Sequence, residues 1–337
     1  MPLIDLPLET LREYRPDIDE PADFDAFWAE TIAESRAAAR TGIHCEPAET
    51  PIRELAIDDV TFPGFGGEPV RAWLTRPRGH GDPLPVVVEF VGYGGGRAQP
   101  GERLQWAAAG YAHLLMDTRG QGGTWGGGHT PDPHGSDSAT PGFMTRGIAD
   151  PHDYYYRRVF TDGVRLIDAV GDIPGADASR IAVTGGSQGG GISIAVAALS
   201  PAVRAVMPDV PFLSHFRRAV EATPAAPFTE ITKYLSVHRD RIEATFRTLS
   251  YFDGANFTPR IHAPALFSVG LMDEIVLPST VFAAYNRLGS ADRSIEVYPY
   301  NGHEGGQMHQ WVRQARWLAE RLAAVPSGER MPVAADT

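Results

Sequence analysis

The apolar positions of this chain change period several times along its length, and each change marks an element. Between Asp23 and Ala38, Phe24, Phe27, Trp28 and Ile32 recur at helical spacing and share one face. Residues 55–76 alternate apolar and polar positions on both sides of Pro63-Gly64-Phe65-Gly66-Gly67, the pattern of two antiparallel strands and a turn. Short β-branched runs then alternate with helical patterns. Strands are expected at Val86–Phe90, His113–Asp117 and Arg180–Val183, with helices at Leu104–Ala109 and Phe160–Val170. This rhythm predicts an α/β fold with a mostly parallel central sheet and helices on both faces. Residues 1–337 read as one domain, with residues 1–50 as an N-terminal extension. Helical segments around Pro224-Ala225-Ala226-Pro227 make residues 211–258 an insertion, expected to lie over the active site. Residues 118–151 are rich in Gly, Pro and His, and too long and irregular for an ordinary connection, so a functional role is expected. The polar tail after Val325 is expected to fray.

The chemistry gathers where predicted strands end. Ile181-Ala182-Val183-Thr184 runs into Gly185-Gly186-Ser187-Gln188-Gly189, and an Ala-rich helical stretch, Ile192 to Leu199, follows. A Gly-x-Ser-x-Gly pattern between strand and helix is the signature of a sharp turn that exposes a serine nucleophile, although the five-residue match alone also suits an ordinary glycine turn. A serine hydroxyl needs a base, and the base needs an orienting acid. Downstream, an apolar run from Ala265 ends at Asp273, and a second from Ser294 ends in Gly302-His303-Glu304-Gly305-Gly306. Ser187, Asp273 and His303 thus follow one another in the order Ser, Asp, His, each just past a predicted strand. Asp273 could instead cap a helix over Val276–Ala284, and Glu274 is a neighbouring candidate acid. His303 stands out among 11 histidines because glycines free its loop, whereas His309 falls in a helical pattern and His215, His238 and His262 precede the acid.

Acyl transfer also needs donors for a developing oxyanion. One is expected from the backbone of Gln188. The glycine run Gly92-Tyr93-Gly94-Gly95-Gly96, after the Val86–Phe90 strand, offers Tyr93 N–H as the second. A phosphate cradle at this run would want Gly-Lys-Ser/Thr to follow, and Arg97-Ala98-Gln99 does not supply it.

Composition narrows the classes. With 337 residues, 43% of them hydrophobic, the chain can bury a large core. A net charge of −12 argues against nucleic acid and anionic membrane partners. No apolar run is long enough to cross a membrane. A single cysteine, Cys45, offers neither an intrachain disulfide nor a metal cluster, and no metal or other cofactor is expected. No basic-then-apolar segment opens the chain, so a cytoplasmic location is expected.

Taken together, Asp23-Phe24-Asp25-Ala26-Phe27-Trp28, Arg119-Gly120-Gln121-Gly122, Met144-Thr145-Arg146-Gly147-Ile148 and Tyr154-Tyr155-Tyr156-Arg157-Arg158 carry a family resemblance. With the serine, acid and histidine motifs, the chain resembles the carbohydrate esterase family 7 acetyl esterases, the acetylxylan esterase and cephalosporin C deacetylase group. The resemblance spans almost the whole chain and implies an α/β-hydrolase fold with a Ser187, Asp273, His303 triad. It also implies oxyanion donors at Tyr93 and Gln188, and hydrolysis of small acetyl esters such as acetylated xylo-oligosaccharides. A homohexamer is implied as well. Arg119 and Gln121 are read as supports of the active-site loops, Arg119 as an ion-pair partner. Trp125 is read as a pocket wall or, equally, as packing beneath its loop. The chain departs from the family at Val91, where a histidine is frequent, and at Gly94-Gly95-Gly96, which leaves acyl and alcohol preference open. Peptidase, amidase and general short-chain carboxylesterase remain alternatives, as does a non-catalytic binding protein on the same fold.

Overall fold

The computed structural model describes residues 5–39, 42–135 and 137–323; the tail after Val325 lies outside them. Among these residues nine strands form one sheet: β1 (His44–Pro47), β2 (Leu55–Pro63), β3 (Pro69–Pro77), β4 (Leu84–Phe90), β5 (Ala112–Met116), β6 (Ala176–Gly186), β7 (Val203–Asp209), β8 (Ala265–Gly270) and β9 (Arg293–Tyr298). Their order is β1-β2-β3-β5-β4-β6-β7-β8-β9. Pairings from β1 to β5 through β3 are antiparallel, and all later ones are parallel. The helices are α1 (Leu8–Glu13), α2 (Phe24–Ala38), α3 (Gln105–Ala108), α4 (Tyr155–Ala169), α5 (Gln188–Leu199), α6 (Phe216–Ala222), α7 (Phe228–Val237), α8 (Ile242–Ser250), α9 (Gly254–Phe257), α10 (Pro278–Tyr285) and α11 (Gln307–Arg321).

Alternation along the central strands separates two faces. Val86, Val88 and Phe90 join Ile181, Val183 and Val206 in the main core, with α4 and α5. Val87, Ala182, Ala205 and Met207 point the other way and pack with Trp106 of α3 and Leu318 of α11. The expected elements are present, with shifted ends. Helix α4 begins at Tyr155, well before the expected Phe160, because Arg157 and Arg158 are buried and hide the apolar face from its pattern. Strand β6 extends past the expected Arg180–Val183 at both ends. The helix after the serine begins at Gln188, four residues before the expected Ile192, since its first turn is glycine. Residues 211–258 contain helices α6 to α9.

The N-terminal extension is part of the core. Phe24 meets Phe257 edge-on at 5.0 Å between ring centroids, and Trp28 donates its indole N–H to the Tyr251 carbonyl at 2.9 Å. Trp28→Ala is expected to destabilise the protein by about 3–5 kcal/mol in urea unfolding. A loss under about 1 kcal/mol would show instead that α2 lies on the fold without helping to build it.

Candidate active site

Strand β6 ends in a turn that places Ser187 at φ 56°, ψ −117°, where L residues rarely sit. Three backbone bonds hold it. Ser187 N–H donates to the Asp209 carbonyl at 2.9 Å, while the Ser187 carbonyl accepts from Gly191 at 3.1 Å and Phe212 at 3.0 Å. The flanking glycine is sterically required, since a Cβ on Gly189 would stand 2.0 Å from the Phe90 carbonyl oxygen. Helix α5 starts at the next residue, so the Gln188 N–H has no intrahelical acceptor.

The acid and the histidine arrive from the next two strand ends. His303 Nδ1 lies 2.8 Å from Asp273 Oδ2. Asp273 is fully buried, and its other oxygen accepts the Ile275 and Val276 N–H groups at 2.9 Å each. An ionised carboxylate only accepts, so the Nδ1 proton faces Asp273 and Nε2 is left as the basic nitrogen. Asp273 does not cap α10, which begins five positions later at Pro278, and Glu274 is exposed. The histidine loop is braced by Glu304, which accepts from Asn301 Nδ2 at 2.9 Å and Gly302 N–H at 3.0 Å. Ser187 and His303 line the same cavity of about 550 Å³, with Tyr93, Trp125, Pro227 and Glu230 among its other walls.

The glycine run after β4 forms the facing wall. Neither Tyr93 N–H nor Gln188 N–H finds a protein acceptor among the described residues. Gln121 Oε1 accepts the Gly94 N–H at 2.7 Å, and its amide donates to Gln188 Oε1 at 2.8 Å and Tyr155 Oη at 3.1 Å. Gln188 answers with bonds from its own amide to the Val91 carbonyl at 3.1 Å and Gln121 Oε1 at 3.2 Å. Tyr156 Oη donates to Gln188 Oε1 at 2.8 Å. Arg119 has no access to the cavity. It is buried, forms a bidentate pair with Asp162 at 2.6 and 2.7 Å, and also pairs with Glu68. Burial alone would lower its pKa, but the two carboxylates outweigh that and raise it. Arg119 is therefore the ion-pair partner anticipated for it. Trp125 lines the cavity, 45% exposed, with its indole N–H on the Tyr93 carbonyl at 3.0 Å. A Cβ on Gly95 would come within 2.5 Å of that ring, which accounts for the glycine at that position.

The family now follows. The model of the family described as acetyl xylan esterase (AXE1) matches residues 1–321. This chain belongs to the acetyl xylan esterase family. An acetyl xylan esterase from Paenibacillus sp. R4 is 39% identical with a TM-score of 0.86, over 94% of this chain and 100% of that one. Acetyl xylan esterase 1 from Thermoanaerobacterium sp. is 34% identical with a TM-score of 0.85, over 95% and 100% of the two chains. Acetyl esterase Axe7A of Xylanibacter ruminicola is 26% identical over 324 residues, 91% of this chain and 69% of that protein. The acylaminoacyl peptidase of Pyrococcus horikoshii, 14% identical with a TM-score of 0.59, shares the fold alone. The protein is a carboxylic ester hydrolase of the α/β-hydrolase fold.

Two residues of this esterase's site gave no sequence signal. Glu230 of α7 accepts the Tyr93 hydroxyl at 2.8 and 2.9 Å, and also the Met144 N–H at 3.1 Å. It sits between the buried residues Phe228 and Ile231, where a lone acid reads as an exposed helix position. Asp209, at the end of β7, reads as the close of an apolar strand, yet it lines the cavity beside Ser187. It accepts Ser268 Oγ and Gln314 Nε2, both at 2.9 Å. Burial pushes its carboxyl up to about 6, against the pull of those bonds. The unfolded chain releases this proton near pH 4, so the stabilising share of Asp209 is present below that value and lost as pH rises through about 6. Between about pH 5 and pH 7, urea unfolding should therefore shift the stability difference toward Asp209→Asn by about 1 kcal/mol. A difference independent of pH would contradict the raised value.

Proposed function

We propose that this protein removes acetyl groups from small O-acetylated carbohydrates, such as acetylated xylo-oligosaccharides, and from cephalosporin C type acetyl esters. The observation that carries the reading is the Ser187 elbow on one cavity with His303, whose Nδ1 is held by buried Asp273. His303 Nε2 takes the Ser187 proton as Oγ attacks the ester carbonyl. Asp273 fixes the imidazole and stabilises its positive form. The negative oxygen is received by the free N–H groups of Tyr93 and Gln188, both preorganised by the Gln121 amide. His303 then returns its proton to the leaving alcohol, and water activated by the same imidazole releases acetate from the acetyl-Ser187 ester. The family relationship supports this over the peptidase and amidase alternatives. Following the same resemblance, the active form is a cytoplasmic homohexamer, which light scattering checks by its mass.

Ser187→Ala should lower kcat on acetyl esters by roughly 10⁴–10⁶ without changing the melting temperature appreciably. Turnover near that of the unmodified enzyme would remove Ser187 as the nucleophile. The cavity walls Trp125, Pro141 and Pro227 set the acyl limit. With one alcohol held constant, kcat/KM should fall steeply from acetyl to butyryl, beyond the 1–3 kcal/mol typical of about one methylene in an accommodating pocket. Equal rates on acetyl and octanoyl esters would favour a general carboxylesterase. Trp125→Ala should flatten the acyl series; an unchanged series with a lower melting temperature would assign Trp125 to packing alone.

A further inference from the structure

The face of the sheet that carries α3 and α11 changes character at its carboxyl end. Val87, Ala182 and Met207 are apolar, and two residues further along the same face stand Glu89, Thr184 and Asp209. In register, Glu89 pairs with Thr184 and Thr184 with Met207, and Asp209 stands two residues beyond that row, paired with Gly186. These residues floor a groove of about 460 Å³ between α3 and α11. Its aromatic wall is Trp106 and Trp311, edge to face at 5.5 Å. Its rim carries Glu102, Gln105 and Gln307, all exposed. The floor groups are already committed. Glu89 is bound by Arg103 and by His113 at 3.0 Å, Thr184 donates to the Met207 carbonyl at 2.8 Å, and Asp209 holds Ser268 and Gln314. On the rim, Glu102 accepts the Gln99 N–H with one oxygen at 3.2 Å, which leaves its other oxygen and the Gln105 and Gln307 amides for a ligand.

The groove adjoins the catalytic cavity, sharing Gly186, Asp209 and Gln307 with it. Gly186 precedes the nucleophile, is exposed, and has nothing within 4 Å of the place a Cβ would occupy. The passage over it is therefore open. Gln307 opens α11 directly after the loop of His303, which protonates the departing oxygen in the proposed reaction. The two walls of the cavity differ accordingly: Tyr93, Trp125 and Pro141 stand on the oxyanion side, and the groove opens on the histidine side. A group attached to the leaving oxygen is the one that reaches the groove.

We propose that this groove is a carbohydrate subsite for the leaving alcohol, binding pyranose rings next to the acetylated one through Trp311 and the Glu102, Gln105 and Gln307 side chains. An indole presents an electron-rich face to the C–H groups of a pyranose, and carboxylates and amides match its vicinal hydroxyls. A site of this volume falls within the range of small-molecule pockets, about 300–1,000 Å³. The side-chain-free position before the nucleophile acts as the doorway between acetyl and sugar sites. This assignment rests on the proposed deacetylation of carbohydrates.

The test uses the full-length protein and two measurements. Unacetylated xylotriose is titrated against tryptophan fluorescence, and kcat/KM is compared between acetylated xylotriose and 4-nitrophenyl acetate. Xylotriose should quench saturably. With its melting temperature checked, the Glu102→Ala, Gln105→Ala double variant, which alters exposed side chains and loses one bond from the Gln99 N–H, should weaken that binding. It should also lower the ratio of sugar-ester to phenyl-ester kcat/KM by about tenfold, the effect of losing one or two ligand hydrogen bonds. Trp311→Ala, with its melting temperature checked, should lower the same ratio. Active enzyme on acetylated xylotriose with a ratio unmoved by both variants overturns the subsite and leaves deacetylation standing. Saturable xylotriose binding lost in the double variant, with no hydrolysis of acetylated xylotriose, overturns the carbohydrate deacetylase reading and leaves the subsite standing. Absence of both binding and hydrolysis overturns the two together.

Discussion

The reciprocal amide pair between Gln121 and Gln188 is the contact on which the active-site geometry depends. Each carboxamide both donates to and accepts from the other, at 2.8 and 3.2 Å, in full burial. Their remaining polar atoms reach the Gly94 N–H, the Val91 carbonyl, Tyr155 and Tyr156. One interaction thereby joins the loop after β4, the loop after β5, the start of α5 and the first turn of α4. Removing either amide would leave several buried polar groups unpaired, each costing about 1–3 kcal/mol. The catalytic consequence is geometric. The backbone donors at Tyr93 and Gln188 belong to different segments, and the amide pair sets their separation.

Beneath that pair lies a frame of buried charges. Arg119 and Asp162 meet bidentately, Asp162 also accepts the Phe65 N–H at 2.8 Å, and Arg158 grips Asp132 at 2.9 and 3.1 Å. Buried ion pairs seldom add much net stability, but breaking one costs about 3–5 kcal/mol. Their effect here is to exclude alternatives for residues 118–151, which carry little regular structure. The Arg119 carbonyl in turn receives the Tyr155 hydroxyl, so the charged frame and the amide pair share a residue. Arg119 and Asp132, both from this glycine-rich stretch, are thereby tied to α4 through Asp162 and Arg158.

How far the sequence could be read depended on whether a position's role was local. The elbow at Ser187 was legible because its steric demands fall on immediate neighbours, Gly185 and Gly189. Asp273 and His303 were legible because parallel sheets gather chemistry at strand ends. The early start of α4 was not, since the period of a helix is masked when buried arginines occupy its apolar face. Glu230 was illegible for a different reason. Its partner, the Tyr93 hydroxyl, is 137 residues away, and nothing near Glu230 distinguishes it from a solvated helical acid. Trp125 was left between two roles because both need the same position: its ring stands against Gly92 and Gly95 and also lines the cavity.

The Glu230 contact changes what the helical insertion is. The Tyr93 hydroxyl donates to Glu230 while accepting the Phe143 N–H at 2.9 Å, so α7, the 118–151 stretch and the oxyanion loop meet at one oxygen. Burial raises the Glu230 carboxyl above its ordinary value, although the Tyr93 and Met144 bonds pull it back. An ionised Glu230 accepts from both Tyr93 and Met144. Tyr93 also carries the Trp125 indole on its carbonyl. The residue that offers a donor to the oxyanion is thus anchored through its side chain to the insertion and through its carbonyl to the cavity wall. Under the proposed reaction, the Trp125 wall and the Tyr93 donor are joined by that bond, so a wall that moves to admit a larger acyl group would also move the donor.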